Sequence, residues 1–392
     1  MIMMKNTPSR VVGIDLGNNS FKVVCLRKRG NQYVLAGAAM VPNQHDPLQQ
    51  TLQTEENVAS QIKALVSLIT ISSADVHYSI NSPNSTIRYV DLPKIPLQEI
   101  RSALKLNSAT YLRQNFENYT FDACPLDREA AAVLASSKLK FKQESTPSLP
   151  GKIRILVGGI FTPEIVLYFH ASRRAGIKPK SLQLAPISLI NGFEAAYPEI
   201  FHAEAVVLLD MGFLSSSLTI LDKGVPLLTR TVPVGGKQIT ECIAQISNLN
   251  FTKAEAAKLQ GDPNLDDAVA RTVVTLIREV RSSINFFEKN SDRSISKIYL
   301  TGASAYAPAV VKTLTRDIGT TCEPWNSARG LTLELPSKQQ DIFNQNPFAF
   351  STALGVARTY TIITTNVKPL ETSPTTNASA KSSIATLSTP HS

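Results

Sequence analysis

The chain of 392 residues predicts an α/β protein in which two lobes, each built on a similar sheet, face a common cleft. A smaller α/β unit is inserted into the first lobe. Three observations lead there. An apolar strand ending in aspartate, a glycine turn and a return strand occur at Arg10–Leu26, with Asp15 and Gly17 in the turn. The same arrangement recurs at Ala205–Asp222, with Asp210 and Gly212, so one supersecondary unit is repeated about half a chain apart. Finally, 43% hydrophobic and 18% charged residues describe a globular chain, and its length suits two or three domains at roughly 100–200 residues each.

Taken in order, Arg10–Ile14 and Ser20–Leu26 form the first hairpin and Gln32–Met40 a third strand. Glu55–Leu68 is a helix, since Val58, Ile62, Leu65, Val66 and Ile69 fall on one face. Val76–Ile80 alternates as a strand. From Ser82 to Leu184 the pattern reads β-α-β-β-α: strand Arg88–Leu92, helix Leu97–Asn115, strands Tyr119–Cys124 and Ile153–Phe161, helix Thr162–Ala175. Ala130–Val133 extends the second of these strands, and Ser136–Pro150, rich in Lys, Ser and Pro, is an exposed loop. The second half opens with strands Ala205–Leu209, Leu218–Asp222 and Val225–Val232. Helices Ile239–Ile246, Thr252–Leu259 and Val269–Glu288 follow, then strand Ile295–Leu300 and helices Pro308–Thr315 and Asn346–Tyr360. Thr364–Ser392 holds few large apolar side chains and is expected to be a disordered tail.

The formal charge is +9, from 40 Lys and Arg against 31 Asp and Glu, and it is spread out rather than collected in a block. That argues against a nucleic-acid partner and is compatible with mild attraction to an anionic membrane. The run Arg271, Arg278, Arg281 reads as a solvated helix face, and Trp325 as core. Cys25, Cys124, Cys242 and Cys322 have neither zinc nor disulfide-framework spacing, which points to reduced thiols in a cytosol. No secretory h-region opens the chain, and no apolar run reaches the roughly 18 residues of a membrane span. His45, His77, His170, His202 and His391 are scattered, outside metal-ligand spacing, and no nucleophile motif occurs.

The chemistry lies in the aspartate turns. Gly17 lets the amides of Asn18, Asn19 and Ser20 approach an anion without a Cβ in the way. A carboxylate at a strand end repels phosphate but can hold a hydrated magnesium ion that bridges to it. Lys22 shares a strand face with Ser20 and can reach the same phosphates. Asp210, Gly212, Ser215 and Ser216 offer the mirror arrangement, and Gly302-Ala303-Ser304 adds a third turn at a helix start.

These residues resemble the actin-like ATPase superfamily, and within it the type IV pilus assembly protein PilM family. The similarity is carried by Val12-Gly13-Ile14-Asp15-Leu16-Gly17-Asn18-Asn19-Ser20-Phe21-Lys22 and Val207-Leu208-Leu209-Asp210-Met211-Gly212. Val232-Pro233-Val234-Gly235-Gly236-Lys237-Gln238-Ile239-Thr240, Ala254-Glu255-Ala256-Ala257-Lys258, Ile298-Tyr299-Leu300-Thr301-Gly302 and Ala353-Leu354-Gly355-Val356-Ala357-Arg358 complete it, over about residues 10–362. The resemblance implies an actin-like fold, two lobes of ribonuclease-H-like sheets around a nucleotide cleft. The first lobe spans 10–80, completed by 185–203 and 346–362, and carries an inserted subdomain at 81–184. The second lobe spans 204–345, with a subdivision at about 238–296. Residues 1–9 and 363–392 flank the whole.

It further implies ATP and Mg2+ as cofactors. Asp15 to Ser20 and Lys22 would form the first phosphate loop and Asp210 to Ser216 the second. Asp15 and Asp210 would hold magnesium through water. Gly235 and Gly236 would lie near phosphates and ribose, Glu255 and Lys258 near sugar or base, and Gly302, Ala303 and Ser304 beneath the adenine. The implied partner is the short cytoplasmic N-terminus of a PilN-like inner-membrane protein, bound beside the inserted subdomain, where Asn81–Asp91 offers a sheet edge. Pilus motor components and self-association are further partners the family allows. The implied location is the cytoplasm, at the inner face of the inner membrane. Asn18 stands where Ser or Thr is usual, Phe213 and Leu214 replace small residues, and Ala303 replaces a glycine. Between Pro186 and Glu194 no carboxylate except Glu194 is present to orient an attacking water, so weak or absent hydrolysis is expected. Two alternatives stand: an FtsA-like division or secretion-platform scaffold, and a sugar-kinase-like phosphotransferase.

Overall fold

The computed structural model describes residues 8–43, 54–126, 151–261 and 265–366. The expected strand Ala130–Val133, the loop Ser136–Pro150 and residues 367–392 of the tail lie outside them. The strands are β1 Arg10–Leu16, β2 Ser20–Arg29, β3 Gln32–Pro42, β4 Asp75–Ile80, β5 Ser85–Pro93, β6 Tyr119–Pro125 and β7 Lys152–Phe161. They continue as β8 Ser181–Leu184, β9 Ala205–Met211, β10 Ser216–Asp222, β11 Val225–Val232, β12 Lys297–Thr301, β13 Cys322–Pro324 and β14 Thr332–Leu333.

Two sheets share one plan. The first runs β14-β3-β2-β1-β4-β8 and the second β11-β10-β9-β12-β13. In each, a strand pairs antiparallel with its hairpin partner on one side and parallel with a later strand on the other: β1 with β2 and β4, β9 with β10 and β12. Both central strands read as near-continuous apolar runs because both faces are covered. Val12 and Ile14 pack with Val58, Ile62 and Leu65 of helix Glu55–Val66, while Val11 points the other way to Leu354 and Phe350. Likewise Val207 and Leu209 meet Val273, Leu276 and Val280 of helix Asp266–Lys289, and Val206 and Leu208 meet Leu189, Phe193 and Trp325.

Helix Ala185–Ala196 joins the lobes. Its Leu189 and Phe193 pack on the second sheet, its Ser188 hydroxyl lies 2.8 Å from that of Ser79 on β4, and its Gly192 meets Gly355 of helix Ser351–Asn366. Arg358, on the same later helix, is buried and donates to the carbonyls of Ser327 (2.6 Å), Arg329 (3.0 Å) and Ala195 (2.7 Å). Burial without a carboxylate pulls its guanidinium down to about 10.

The inserted unit is a three-stranded sheet, β5-β7-β6, with Ile100 and Leu104 of helix Leu97–Leu106 packed on Ile155 and Val157. Five expected boundaries shift. The long helix expected at 97–115 breaks at Asn107, whose non-helical backbone (φ −152°, ψ 76°) starts a second helix, Ser108–Leu112, with its side chain accepting from the Thr110 amide. Helix Thr162–Arg174, assigned to the insert, lies against Glu55–Val66, with His170 at 3.1 Å from Glu55 and Arg174 at 3.1 Å from Glu56. β8, also assigned to the insert, is the outer strand of the first sheet. β14, assigned to the second lobe, pairs with β3, as its Glu334 neighbour binds Arg27 and Arg29 of β2. The last helix runs to Asn366, so residues 364–366, expected in the tail, are helical.

His77 on β4 is 4% exposed, stacks on Tyr360 at 3.5 Å and shares the Ser181 hydroxyl with it. Burial brings its imidazole down to about 4, with Asp75 opposing and Lys180 adding to that effect. The folded state therefore prefers neutral His77. This contribution is complete above the unfolded pKa of 6.5 and is lost as the pH falls from there towards about 4, a difference of about 3 kcal/mol. His77→Phe should flatten the decline of unfolding free energy over that window. An unchanged slope in the variant would remove His77 as its source.

Candidate functional site

The two aspartate turns open on one cavity of about 420 Å³, a size suited to a small-molecule ligand. Both turns have the same build. A Cβ on Gly17 would lie 2.8 Å from Ser20 O, and one on Gly212 would lie 2.8 Å from Ser215 O, so only glycine closes either loop without displacing backbone. The first is stitched by Asn43, whose side-chain amide donates to Gly17 O (3.3 Å) and Asn18 O (3.2 Å). The second is held by the start of helix Gly236–Ser247: Gly236 N–H donates to Gly212 O and Lys237 N–H to Phe213 O, each at 2.9 Å. Those amides are thereby committed to the turn.

Register makes the halves chemically unequal. Asp15 lies directly across from Lys22, and the ammonium pairs with Oδ2 at 3.0 Å while also donating to Ser20 O at 3.1 Å. Asp210 lies across from Ser217 and has no cation in the equivalent place. Burial first, and the nearby Asp15 charge second, push the Asp210 carboxyl up to about 7, with Lys22 partly offsetting them. Gly302, at φ +88°, closes over this carboxylate; a Cβ there would sit 2.4 Å from Met211 O and 2.7 Å from Asp210 Oδ1.

At the other end Lys258 is 2% exposed and pairs with Glu255 at 2.7 Å, one helical turn away. It also donates to Thr240 Oγ1 at 3.1 Å, and Thr240 in turn donates to Glu255. Desolvation draws the ammonium below its usual range, with Glu255 opposing. The hydroxyl of Ser304 and Lys258 Nζ crowd Gly236, where a Cβ would meet them at 2.5 and 3.4 Å.

Asp15, Gly17, Asn18, Asn19, Ser20, Lys22, Asp210, Gly212, Gly236, Glu255, Lys258, Gly302, Ala303 and Ser304 thus line one cavity. Ser215, Ser216 and Gly235 do not. The Ser216 hydroxyl is buried and donates to Val234 O at 2.6 Å, since alternation along β10 turns it away from Asp210 and turns Ser217 towards it. Gly235 lies behind Phe213, whose carbonyl a Cβ would meet at 2.4 Å. Met40, Asn81, Tyr306, Asn346, Phe348 and Thr352 also line the walls, and none was expected. Phe213 does reach the cavity and Leu214 does not. Glu194 is remote from it and lies 3.7 Å from His202. The carboxylates on the described walls are Asp15, Asp210 and Glu255, the last committed to Lys258 and Thr240.

These residues suit hydrated magnesium carried with a nucleotide. Among the described residues no group of three or more His, Cys, Asp or Glu forms a closed metal cage. Two converging carboxylates, one without a cation, match an ion that keeps its waters and takes its remaining oxygens from phosphate.

A family model described as type IV pilus assembly protein PilM matches residues 144–360, more than half of the chain. Among solved structures, the chain is similar to the PilM–PilN type IV pilus biogenesis complex: 24% identity and a TM-score of 0.73, covering 90% of this chain and 98% of that one. It is more distantly similar to ethanolamine utilization protein EutJ from Carboxydothermus hydrogenoformans, at 15% identity and TM-score 0.48 over 91% and 92% of the two chains. Similarity to a non-polymerising MamK mutant bound to AMPPNP is at 11% identity and TM-score 0.42 over 91% and 99%. The fold is the actin-like ATPase fold.

Proposed function

Because the chain belongs to the type IV pilus assembly protein PilM family, we propose that it is an actin-like, ATP- and magnesium-binding scaffold of pilus assembly. It works at the cytoplasmic face of the inner membrane, held there by the short amino-terminal segment of a PilN-like protein. Among the described residues no helix is long and apolar enough to cross a membrane, which fits recruitment through a partner. The observation that carries the reading is the convergence of two repeated aspartate turns, one from each sheet, on a single cavity. Asn18, Asn19 and Ser20 would take phosphate oxygens, Lys22 would add a positive charge, and Asp15 and Asp210 would hold the hydrated ion. Magnesium supplies charge neutralisation between the phosphates and these carboxylates.

Binding rather than turnover is the expected output. No carboxylate on the described walls is left over to orient an attacking water once Asp15 and Asp210 serve the ion and Glu255 serves Lys258. An extended peptide has a seat along β5, an edge strand whose open side faces β11 across a groove lined by Ile87, Arg88, Phe116, Thr229 and Arg230. Tyr89 on β5 bonds Thr229 on β11 at 2.8 Å, so the insert touches the second lobe and a peptide there can sense cleft closure.

Isothermal titration of the full chain with ATP and magnesium should give one saturable site. The PilN-like amino-terminal peptide should bind more tightly when that site is filled. Equal peptide affinity with and without nucleotide would remove the coupling, and absence of any nucleotide binding would remove the cleft's proposed role.

A further inference from the structure

Helix Asp266–Lys289 presents two unlike faces. Val269, Val273, Leu276, Val280, Ile284 and Phe287 are buried against the second sheet. At 100° per residue, Arg271, Val274, Arg278, Arg281, Phe286 and Lys289 fall on the opposite side within an arc of roughly 140°, along about 27 Å of helix. Val274 is 59% and Phe286 60% exposed. Arg271, Arg281 and Lys289 form no ion pair among the described residues, and Arg278 has only a 3.8 Å approach to Glu279. The acidic residues of this helix are mostly turned aside: Asp266 pairs with Lys312, Glu279 lies on the flank beside Arg230, and Glu288 accepts from the Ile295 amide. Asp267, in the first turn, is the one carboxylate on the arc.

We propose that this outward arc is a docking face for an anionic lipid surface, touched directly by this chain. Four cations on a straight ridge, with a valine and a phenylalanine standing out between them, meet both layers of such a surface. The cations face the headgroup phosphates and the two apolar side chains enter the boundary beneath. The inner face of the helix is already packed, so the arc is held as a rigid ridge and needs no folding on arrival. A polyanionic nucleic acid would satisfy the cations but leave Val274 and Phe286 against charged backbone. A second copy of the chain carries a net +9, so its approach is opposed overall by like charge, and segments 127–150 and 367–392 each hold more Lys and Arg than Asp and Glu. The proposal concerns lipid contact by this chain alone and is separate from recruitment through a partner protein.

Vesicle flotation of the full chain tests it, with vesicles of seven parts phosphatidylcholine to three parts phosphatidylglycerol compared with phosphatidylcholine alone. The chain should float with the anionic vesicles at low salt, much less at high salt, and not with neutral ones. Arg271→Glu/Arg278→Glu/Arg281→Glu should lower the partition coefficient at least tenfold. Phe286→Ser should lower it severalfold while keeping the salt dependence. Lys94→Glu/Lys338→Glu, a charge change elsewhere on the surface, should leave more binding than the triple variant, and unchanged circular dichroism would show each variant folded. Equal flotation by the triple variant and the Lys94/Lys338 variant would overturn the assignment. So would failure of the wild type to float with the anionic vesicles at low salt, whether or not it retains a duplex DNA that the triple variant releases.

Discussion

Gly355→Ala should destabilise the junction between the lobes by about 3 kcal/mol or more, beyond the usual cost of an added methyl group in a core. A Cβ at this position would lie 2.0 Å from Ser188 O and 2.6 Å from Ser188 C. Both atoms are backbone of helix Ala185–Ala196, so no rotamer change can relieve the contact. On its other side helix Ser351–Asn366, which carries Gly355, is seated as closely on β1, where a Cβ on Gly13 would lie 2.1 Å from Ala353 O. Helix Ser351–Asn366 is therefore wedged between β1 and the inter-lobe helix and can yield in neither direction. Gly319→Ala is the matched comparison. Gly319 sits at φ +83° with nothing within 4 Å of a new Cβ, so it should lose only about 1–2 kcal/mol of left-handed backbone preference. Denaturant unfolding of the two variants separates clash from backbone strain. Equal losses would mean that the helices part freely. Thr352, on the same helix, lines the cavity, so Gly355→Ala should weaken ligand binding too.

The repeat was legible because its signal is local. A strand, an aspartate and a glycine turn lie within a dozen residues, and the matching order of five strands in the two sheets, β14 apart, follows from repeating that unit. What escaped was set by pairing or by burial on all sides. Analogy with Ser20 puts Ser215 and Ser216 at the second loop. The register Asp210 opposite Ser217 gives the facing position to Ser217 instead, and only the paired strands reveal it. Helix Ala185–Ala196 carries almost no polar face because it packs against both lobes, so it lacks the periodicity that marked Glu55–Val66. β8 and β14, of four and two residues, are too short to show alternation and exist through the strands they join. Tyr306 and Phe348 reach the cavity from short 3₁₀ turns, their rings packed at a tilt of 39° with centroids 4.6 Å apart. Lys258 and Glu255 came from family likeness; their i, i+3 spacing alone would suit any surface pair, yet the lysine is almost fully buried.

Replacing Asp210 should expose a conflict between stability and ligand binding. In the free cleft its carboxyl is held up at about 7 by burial and by Asp15, so the folded chain holds a proton that the unfolded chain releases near 3.8. The sign follows from linkage. Between those values the folded state binds more protons, and this residue lowers stability as the pH rises through the window. Asp210→Asn removes that penalty and should stabilise the ligand-free protein at pH 8 by about 4 kcal/mol, read from denaturant unfolding. The same change removes the carboxylate without a cation of its own, leaving Asp15 already matched by Lys22 at 3.0 Å. Magnesium-dependent affinity for ATP should then fall at least tenfold, with less effect on binding of ATP without metal. In the wild type, Asp210 must ionise to face the ion, so binding at pH 6 should release close to one proton and binding at pH 8 almost none. Titrations in two buffers of different ionisation enthalpy read that number directly. If Asp210→Asn binds Mg·ATP as tightly as the wild type and releases protons with the same pH profile, the carboxylate faces no ion. The two aspartate turns would then be a feature of the fold alone.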